Sequence, residues 1–209
     1  IPVAIVPLGS GNGLFKSITY ETKKEYSLLE SIKIIKQFIS NKSNKGTDYN
    51  FSKHVVQANL IKVKDKNNVN KNLNSLLAIS WGFISDVDIK TESMRGIGSF
   101  RFDLGAIYYL MKKNLYKGTF KYKNDNDEIV TIKGDFFHFW ACNSSWACEN
   151  TFSSPMSRLD DNYIYISYIK APISRCELVK IILKMNNGKF IYDKCVGYIK
   201  TKQFSLEVE

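Results

Sequence analysis

At 209 residues, 44% of them hydrophobic, the chain can bury a substantial core, which excludes the disordered and fibrous classes. Thirty Lys and Arg against twenty Asp and Glu leave a formal charge of +10, which favours phosphate-bearing partners without choosing among nucleotide, nucleic acid and an anionic membrane surface. Four cysteines without a C-x-x-C pair, and two histidines, indicate neither a zinc site nor a disulfide framework, so a reducing, cytoplasmic setting is expected.

In chain order, residues 1–7 read as a buried strand that starts without a charged leader or an initiator Met, the pattern of a chain cut from a larger one. Gly9-Ser10-Gly11-Asn12-Gly13 follows, and Leu14 and Phe15 open a helix. The glycines leave room for the backbone to turn and approach a ligand, and the free amides of a helix start favour an anion. A purely structural strand-to-helix corner fits the same residues equally well, and the spacing is neither a Walker loop nor a full dinucleotide fingerprint. Ser27 and Glu30 make a capping box for a second helix carrying Leu28, Leu29, Ile32, Ile35, Phe38 and Ile39 at helical spacing.

The Asn/Lys-rich stretches 41–45 and 62–71 hold much of the excess charge and read as solvated loops, so no nucleic-acid partner is expected. From His54 onward short apolar or alternating runs at 55–63, 76–88, 118–123, 128–133, 136–142 and 163–169 predict strands, with Asn124-Asp125-Asn126-Asp127 as a hairpin loop. Two helices interrupt them. The first, over 100–113, sets Phe100, Leu104, Ile107, Tyr108 and Met111 on one face. The second starts at Ser174, with Glu177 completing a capping box and Ile173 stapled to Leu178; Leu178, Ile181, Ile182 and Met185 form its buried stripe and Gly188 ends it. The fold class is therefore α+β: an α/β remnant over residues 1–45, then an antiparallel β-sandwich with two helices over 46–209. No apolar run reaches the roughly eighteen residues of a membrane span.

Three features could carry chemistry besides the glycine turn. Asp86 and Asp88, two apart on the run Trp81-Gly82-Phe83-Ile84-Ser85-Asp86-Val87-Asp88, would face one side of a strand, and an acid ending an apolar strand calls for a cationic or hydroxyl partner. A strand that simply runs out into solvent there is the plainer alternative. Arg95 and Arg101, around Gly96 and Gly98, could clamp phosphate, although surface arginines are usually just solvated. His54 and His138 read as packing or surface residues, and Cys142 with Cys148 makes no redox or metal site. The sequons at Asn41 and Asn143 matter only in a secreted chain.

In this order, the segments resemble the sphingosine kinase branch of the diacylglycerol kinase-like lipid kinases. Pro7-Leu8-Gly9-Ser10-Gly11-Asn12-Gly13-Leu14 resembles the family's P-x-G-S-G-N-x-L loop, Ile79–Asp88 its A-W-G-F-I-A-D-V-D segment, and Arg95-Gly96-Ile97-Gly98-Ser99-Phe100-Arg101-Phe102 its R-x-x-G-x-x-R-F block. Phe152-Ser153-Ser154-Pro155-Met156-Ser157-Arg158-Leu159-Asp160-Asp161 is similar to F-x-A-P-x-x-x-L-x-D-G, with Asn162 where glycine is usual. The resemblance implies that residues 1–45 belong to a nucleotide-binding domain and 46–209 to a lipid-binding sandwich, incomplete at its C-terminus. It implies Mg-ATP as cofactor and a sphingoid base as substrate, phosphorylated on its primary hydroxyl, with peripheral membrane contact. Gly9, Ser10, Gly11 and Asn12 would contact ATP, and Arg95 and Arg101 its phosphates. Asp88 would recognise the amino and hydroxyl groups of the base, beside an apolar wall of Phe83, Ile84, Val87 and Phe102. The family's general-base S-G-D-G motif is expected upstream of Ile1 and its D-G-E motif beyond Glu209, so these 209 residues hold neither a catalytic base nor a metal ligand and are expected to be inactive alone. A ceramide or diacylglycerol kinase and a catalytically dead lipid-binding module remain as alternatives.

Overall fold

The computed structural model describes residues 5–9, 11–43, 57–65 and 68–209; Ser10, His54, residues 1–4 of the opening run and the side chain of Phe38 lie outside the described set. Within it are five α-helices, α1 (Gly13–Thr22), α2 (Leu28–Ser43), α3 (Phe83–Lys90), α4 (Phe100–Lys112) and α5 (Arg175–Leu183). Eight strands accompany them: β1 (Ile61–Asp65), β2 (Asn68–Ser75), β3 (Ala78–Gly82), β4 (Tyr116–Lys123), β5 (Ile129–Cys142), β6 (Ile164–Lys170), β7 (Val196–Thr201) and β8 (Phe204–Val208).

The longest strand, β5, organises the rest. The separate runs predicted at 128–133 and 136–142 join into it, because Gly134 continues the pairing opposite Gly118 of β4. Its first half pairs with β4 on one side; its second half lies between β3 and β6, and residues 136–142 are all buried or nearly so, since both faces are covered. The six-stranded antiparallel sheet runs β7-β6-β5-β4-β8, with β3 in line with β4. Strands β7 and β8 stand at opposite ends of that order, yet only Lys202 and Gln203 separate them in the chain. The sheet must therefore curl until its ends meet. Thr201, ending β7, donates through its hydroxyl to the Lys123 carbonyl that ends β4, at 3.0 Å.

Curling turns one face inward and brings rings from non-adjacent strands together: Phe120 meets Tyr168 at 5.1 Å and Phe139 meets Phe204 at 5.7 Å between centroids. The two layers of the expected sandwich are thus two halves of one sheet. Its outer face carries a second core, in which Phe83 and Val87 of α3, Leu110 of α4, and Leu178 and Ile181 of α5 pack on Phe137 and Ile169.

Several local expectations hold at the atomic level. Ser174 and Glu177 form the full capping box of α5, Ser27 Oγ accepts from Glu30 N at 3.1 Å, and Asn124 closes the β4–β5 hairpin by accepting from Asn126 N and Glu128 N. Asn162 has φ 60°, the left-handed region that glycine adopts freely and asparagine tolerates, which accounts for its standing where the family has glycine.

Others need correction. Residues 5–8 are in no strand, and Val6 and Leu8 are exposed. The stretch 62–71 contributes to a β1–β2 hairpin rather than a solvated loop. Strands β7 and β8 were not foreseen. Most consequential, the run 76–88 is a strand only as far as Gly82. That glycine sits at φ 81° and ψ −135°, a conformation that ends β3 and releases the chain into α3.

Candidate functional site

Because α3 replaces the expected strand, Asp86 and Asp88 point to opposite sides. Asp86 turns inward and is 7% exposed. Its Oδ2 accepts from the Tyr116 hydroxyl and from Asn114 Nδ2 at the start of β4, and its Oδ1 pairs with Lys90 Nζ at 2.6 Å, one helical turn on. Burial alone would raise this carboxyl, but the hydrogen bonds from Lys90, Tyr116 and Asn114 outweigh it and hold the group below the ordinary carboxylate range. Asp86 thus fastens α3 to β4.

Asp88 turns outward, with its side chain 65% exposed. One oxygen, Oδ1, accepts from Arg101 Nη2 at 3.3 Å; among the described residues Oδ2 has no partner. Arg101 is not the solvent-facing phosphate ligand expected of it. It is 4% exposed, lies over the Phe102 ring at 4.1 Å, and donates from Nη1 to the Asp88 carbonyl and to Thr91 Oγ1, both at 3.0 Å. Its guanidinium therefore satisfies the end of α3 and sets Asp88 from below. Arg95 is exposed instead and pairs with Glu92 at 2.5 Å, while the other Glu92 oxygen lies 3.4 Å from Arg101. Sequence reading missed Thr91, Glu92, Lys90, Asn114 and Tyr116. The Asp86–Lys90 and Glu92–Arg95 spacings were the available signals, once 83–97 is read as helical.

The proposed apolar wall also lands differently. Phe83 and Val87 are packed in the outer core, Phe83 stacking on Phe137 at 4.8 Å, and Ile84 and Phe102 are partly buried against the same cluster. Two shallow hollows among the described residues lie along Ile32, Ile35 and Ile39 of α2 and beside Val63 and Leu73 of the β1–β2 hairpin; Asp88 lines neither. What the layer does present is apolar surface. Phe100, Leu104, Ile107, Tyr108 and Met111, which the helical spacing sets on one face of α4, are all exposed, with Ile89 and Ile97 nearby in the chain. The helix packs through Gly105, where a Cβ would stand 2.6 Å from Thr91 Cγ2, and through Phe102, Ala106, Tyr109 and Leu110.

At the other end of the chain, the glycine turn is built by Asn12 more than by glycine. Asn12 takes φ 51° while Gly9, Gly11 and Gly13 do not enter that region, and its side-chain oxygen accepts from Gly9 N at 2.9 Å. Gly13 is required by packing, since a Cβ there would run into the Ala147 carbonyl oxygen. At Gly11, among the described residues, a Cβ would meet just Cys148 Cβ, at an ordinary 3.9 Å, so their packing leaves that side of the turn open. The turn is braced by Ser17 Oγ, which accepts from Trp146 N at 2.9 Å, and by Lys16 over the Tyr26 and Trp146 rings. An open glycine at the start of a ten-residue helix fits a phosphate-bearing nucleotide. No group of three or more acidic, His or Cys side chains among the described residues suits a metal, so none is assigned to magnesium.

His138 is fully buried against Ser167 Oγ, and burial pushes its pKa down to about 3, which keeps it neutral. Cys142 is likewise buried, its thiol pushed up to about 12. The Asn143 amide is enclosed and donates to the Leu76 carbonyl, so that sequon is closed to modification in the folded chain. No helix among the described residues is long and apolar enough to cross a membrane.

No family model matches the chain. Against curated proteins it is 25% identical to "Sphingosine kinase 1" of Rattus norvegicus and 23% identical to "Sphingosine kinase 1" of Arabidopsis thaliana, in each case over 99% of this chain but over 59% and 46% of those relatives. It thus spans about half the length of the relatives it matches. Among solved structures, a Bacillus anthracis protein described as a diacylglycerol kinase superposes with a TM-score of 0.59 at 16% identity, covering 99% of this chain and 58% of that one. That likeness shows a common fold, and the similarity in sequence to sphingosine kinases runs over nearly the whole of this chain.

Proposed function

We propose that the whole protein transfers the γ-phosphoryl group of ATP to the primary hydroxyl of a sphingoid base. The observation that carries this reading is the outward oxygen of Asp88, an acid seated on a buried arginine next to exposed apolar surface. A carboxylate so placed suits an ammonium head group, and unpartnered apolar side chains suit the membrane surface that delivers the lipid. Similarity to sphingosine kinases along the whole chain supports the same choice.

In this reading Asp88 binds and orients the amino and hydroxyl groups of the base. Phe83, Ile84, Val87 and Phe102 supply the apolar body behind it, and α4 meets the membrane peripherally. Gly9, Ser10, Gly11 and Asn12 contact the nucleotide and Arg95 reaches its phosphates. Arg101 serves by holding Asp88. ATP supplies the phosphoryl group, and binding and alignment by these residues bring the hydroxyl into line with it.

The test is turnover of the whole protein on sphingosine, ceramide and diacylglycerol. Sphingosine should be preferred, and Asp88→Asn should lower kcat/KM for it by about ten- to a hundredfold, the worth of one charge-assisted hydrogen bond. Kinetics unchanged by Asp88→Asn would remove Asp88 from the lipid site; a preference for diacylglycerol or ceramide would assign the activity to that substrate.

A further inference from the structure

We propose that Asp88, Arg101, Glu92 and Arg95 form one ion-pair relay, through which an anion bound at Arg95 strengthens the hold of Asp88 on a cation. The relay rests on the reading of Asp88 and Arg95 given above and adds a regulation of that site.

Four charges alternate in sign along a continuous path. Asp88 Oδ1 lies 3.3 Å from Arg101 Nη2, Arg101 Nη1 lies 3.4 Å from Glu92 Oε2, and Glu92 Oε1 lies 2.5 Å from Arg95 Nη2. The members differ in freedom. Arg101 is fixed, buried to 4% exposure and tied to the Asp88 carbonyl and to Thr91. Glu92 and Arg95 are half and three-quarters exposed, free to change partners at little cost.

Glu92 divides itself between the fixed guanidinium and the movable one. A phosphate oxyanion that takes Arg95 removes the nearer partner of Glu92, whose carboxylate then turns fully onto Arg101. With its charge met from that side, Arg101 holds Asp88 Oδ1 less strongly, and Asp88 becomes freer to accept an ammonium ion. By linkage the effect is mutual: a cation on Asp88 leaves Arg101 to Glu92 and frees Arg95 for phosphate. Direct attraction between the two ligands would also couple them, but that part does not pass through Glu92. Glu92 and Arg101 are accordingly positioning residues.

The protein is titrated calorimetrically at low ionic strength, where exposed charges are least screened. Inorganic tripolyphosphate and a short-chain, water-soluble sphingoid base are each measured alone and with the other saturating, in the wild type and in Glu92→Gln. In the wild type each ligand should tighten the other by about fivefold. In Glu92→Gln the mutual effect should fall to about twofold or less, the part left by direct attraction between the ligands, while tripolyphosphate alone binds up to about fivefold more tightly because its competitor for Arg95 is gone. Coupling as strong in Glu92→Gln as in the wild type, or absent from a wild type that binds both ligands, overturns the relay and leaves the lipid-kinase reading intact. A wild type that binds no sphingoid base overturns both.

Discussion

The inside of the curled sheet and the α3–α4 layer outside it follow opposite rules. Inside, Phe120, Phe136, Phe139 and Ile166 are fully buried among aromatic and aliphatic neighbours. Outside, a buried arginine and a buried aspartate hold the helices, while five large apolar side chains of α4 face away from the protein. A chain that needed stability alone would exchange these, since buried charge is a weak source of stability and exposed apolar surface is a liability. The inversion is what the proposed function asks of the layer, with the sheet as its support.

Truncation inside the sheet should have the largest effect. Phe139→Ala should lower unfolding free energy by about 3–5 kcal/mol in urea denaturation, the cost of deleting a fully buried ring; a loss like that of a surface substitution would break the contrast. Arg101→Met comes next, at about 1–3 kcal/mol. It strands the Asp88 carbonyl and removes one of two partners of the Thr91 hydroxyl, which still donates to the Val87 carbonyl, but leaves no buried charge unpaired, because Asp88 and Glu92 reach solvent.

Asp86→Asn should cost about 1 kcal/mol at neutral pH, with a pH signature. The folded carboxyl lies below its unfolded value, so its contribution is present above the unfolded pKa of about 3.9 and disappears as pH falls through the depressed folded value. The gap between wild type and variant in acid titrations of stability should therefore close below about pH 4; a constant gap would mean that shape, not charge, is what Asp86 supplies. Smallest in stability should be Ile107→Ser with Met111→Ser, each within about 0.5 kcal/mol of the wild type, since neither side chain is packed. The same pair should weaken sedimentation with anionic lipid vesicles, and unchanged sedimentation would take α4 away from the membrane.

How legible the molecule was in its sequence varies with the range of the forces involved. The box at Ser174 and Glu177, the hairpin around Asn124 and the left-handed position at Asn162 were readable because each is settled by residues within four positions. The spacing of 83–90 misled because Phe83, Ile84 and Val87 suit a strand end as well as a helix, and the decision rests with Gly82, whose φ of 81° shows only when the strand has somewhere to stop. Strand β7 was missed because Gly197, with the Tyr168 ring laid over it, and Lys200 are poor strand formers stabilised by the neighbours they pair with.

By itself the sequence determined a resemblance to a family, an antiparallel sheet with helices, and the residue types from which a site for an anion and an amine could be made. Tertiary structure alone decided which of two acids two residues apart faces solvent, and which of two apolar stripes on α4 is buried. Leu104, Ile107, Tyr108 and Met111 share the helical period with Phe102, Ala106, Tyr109 and Leu110, so periodicity cannot rank them. Gly105 can: the side that carries no Cβ is the side on which Thr91 and Val87 of the neighbouring segment come close enough to pack.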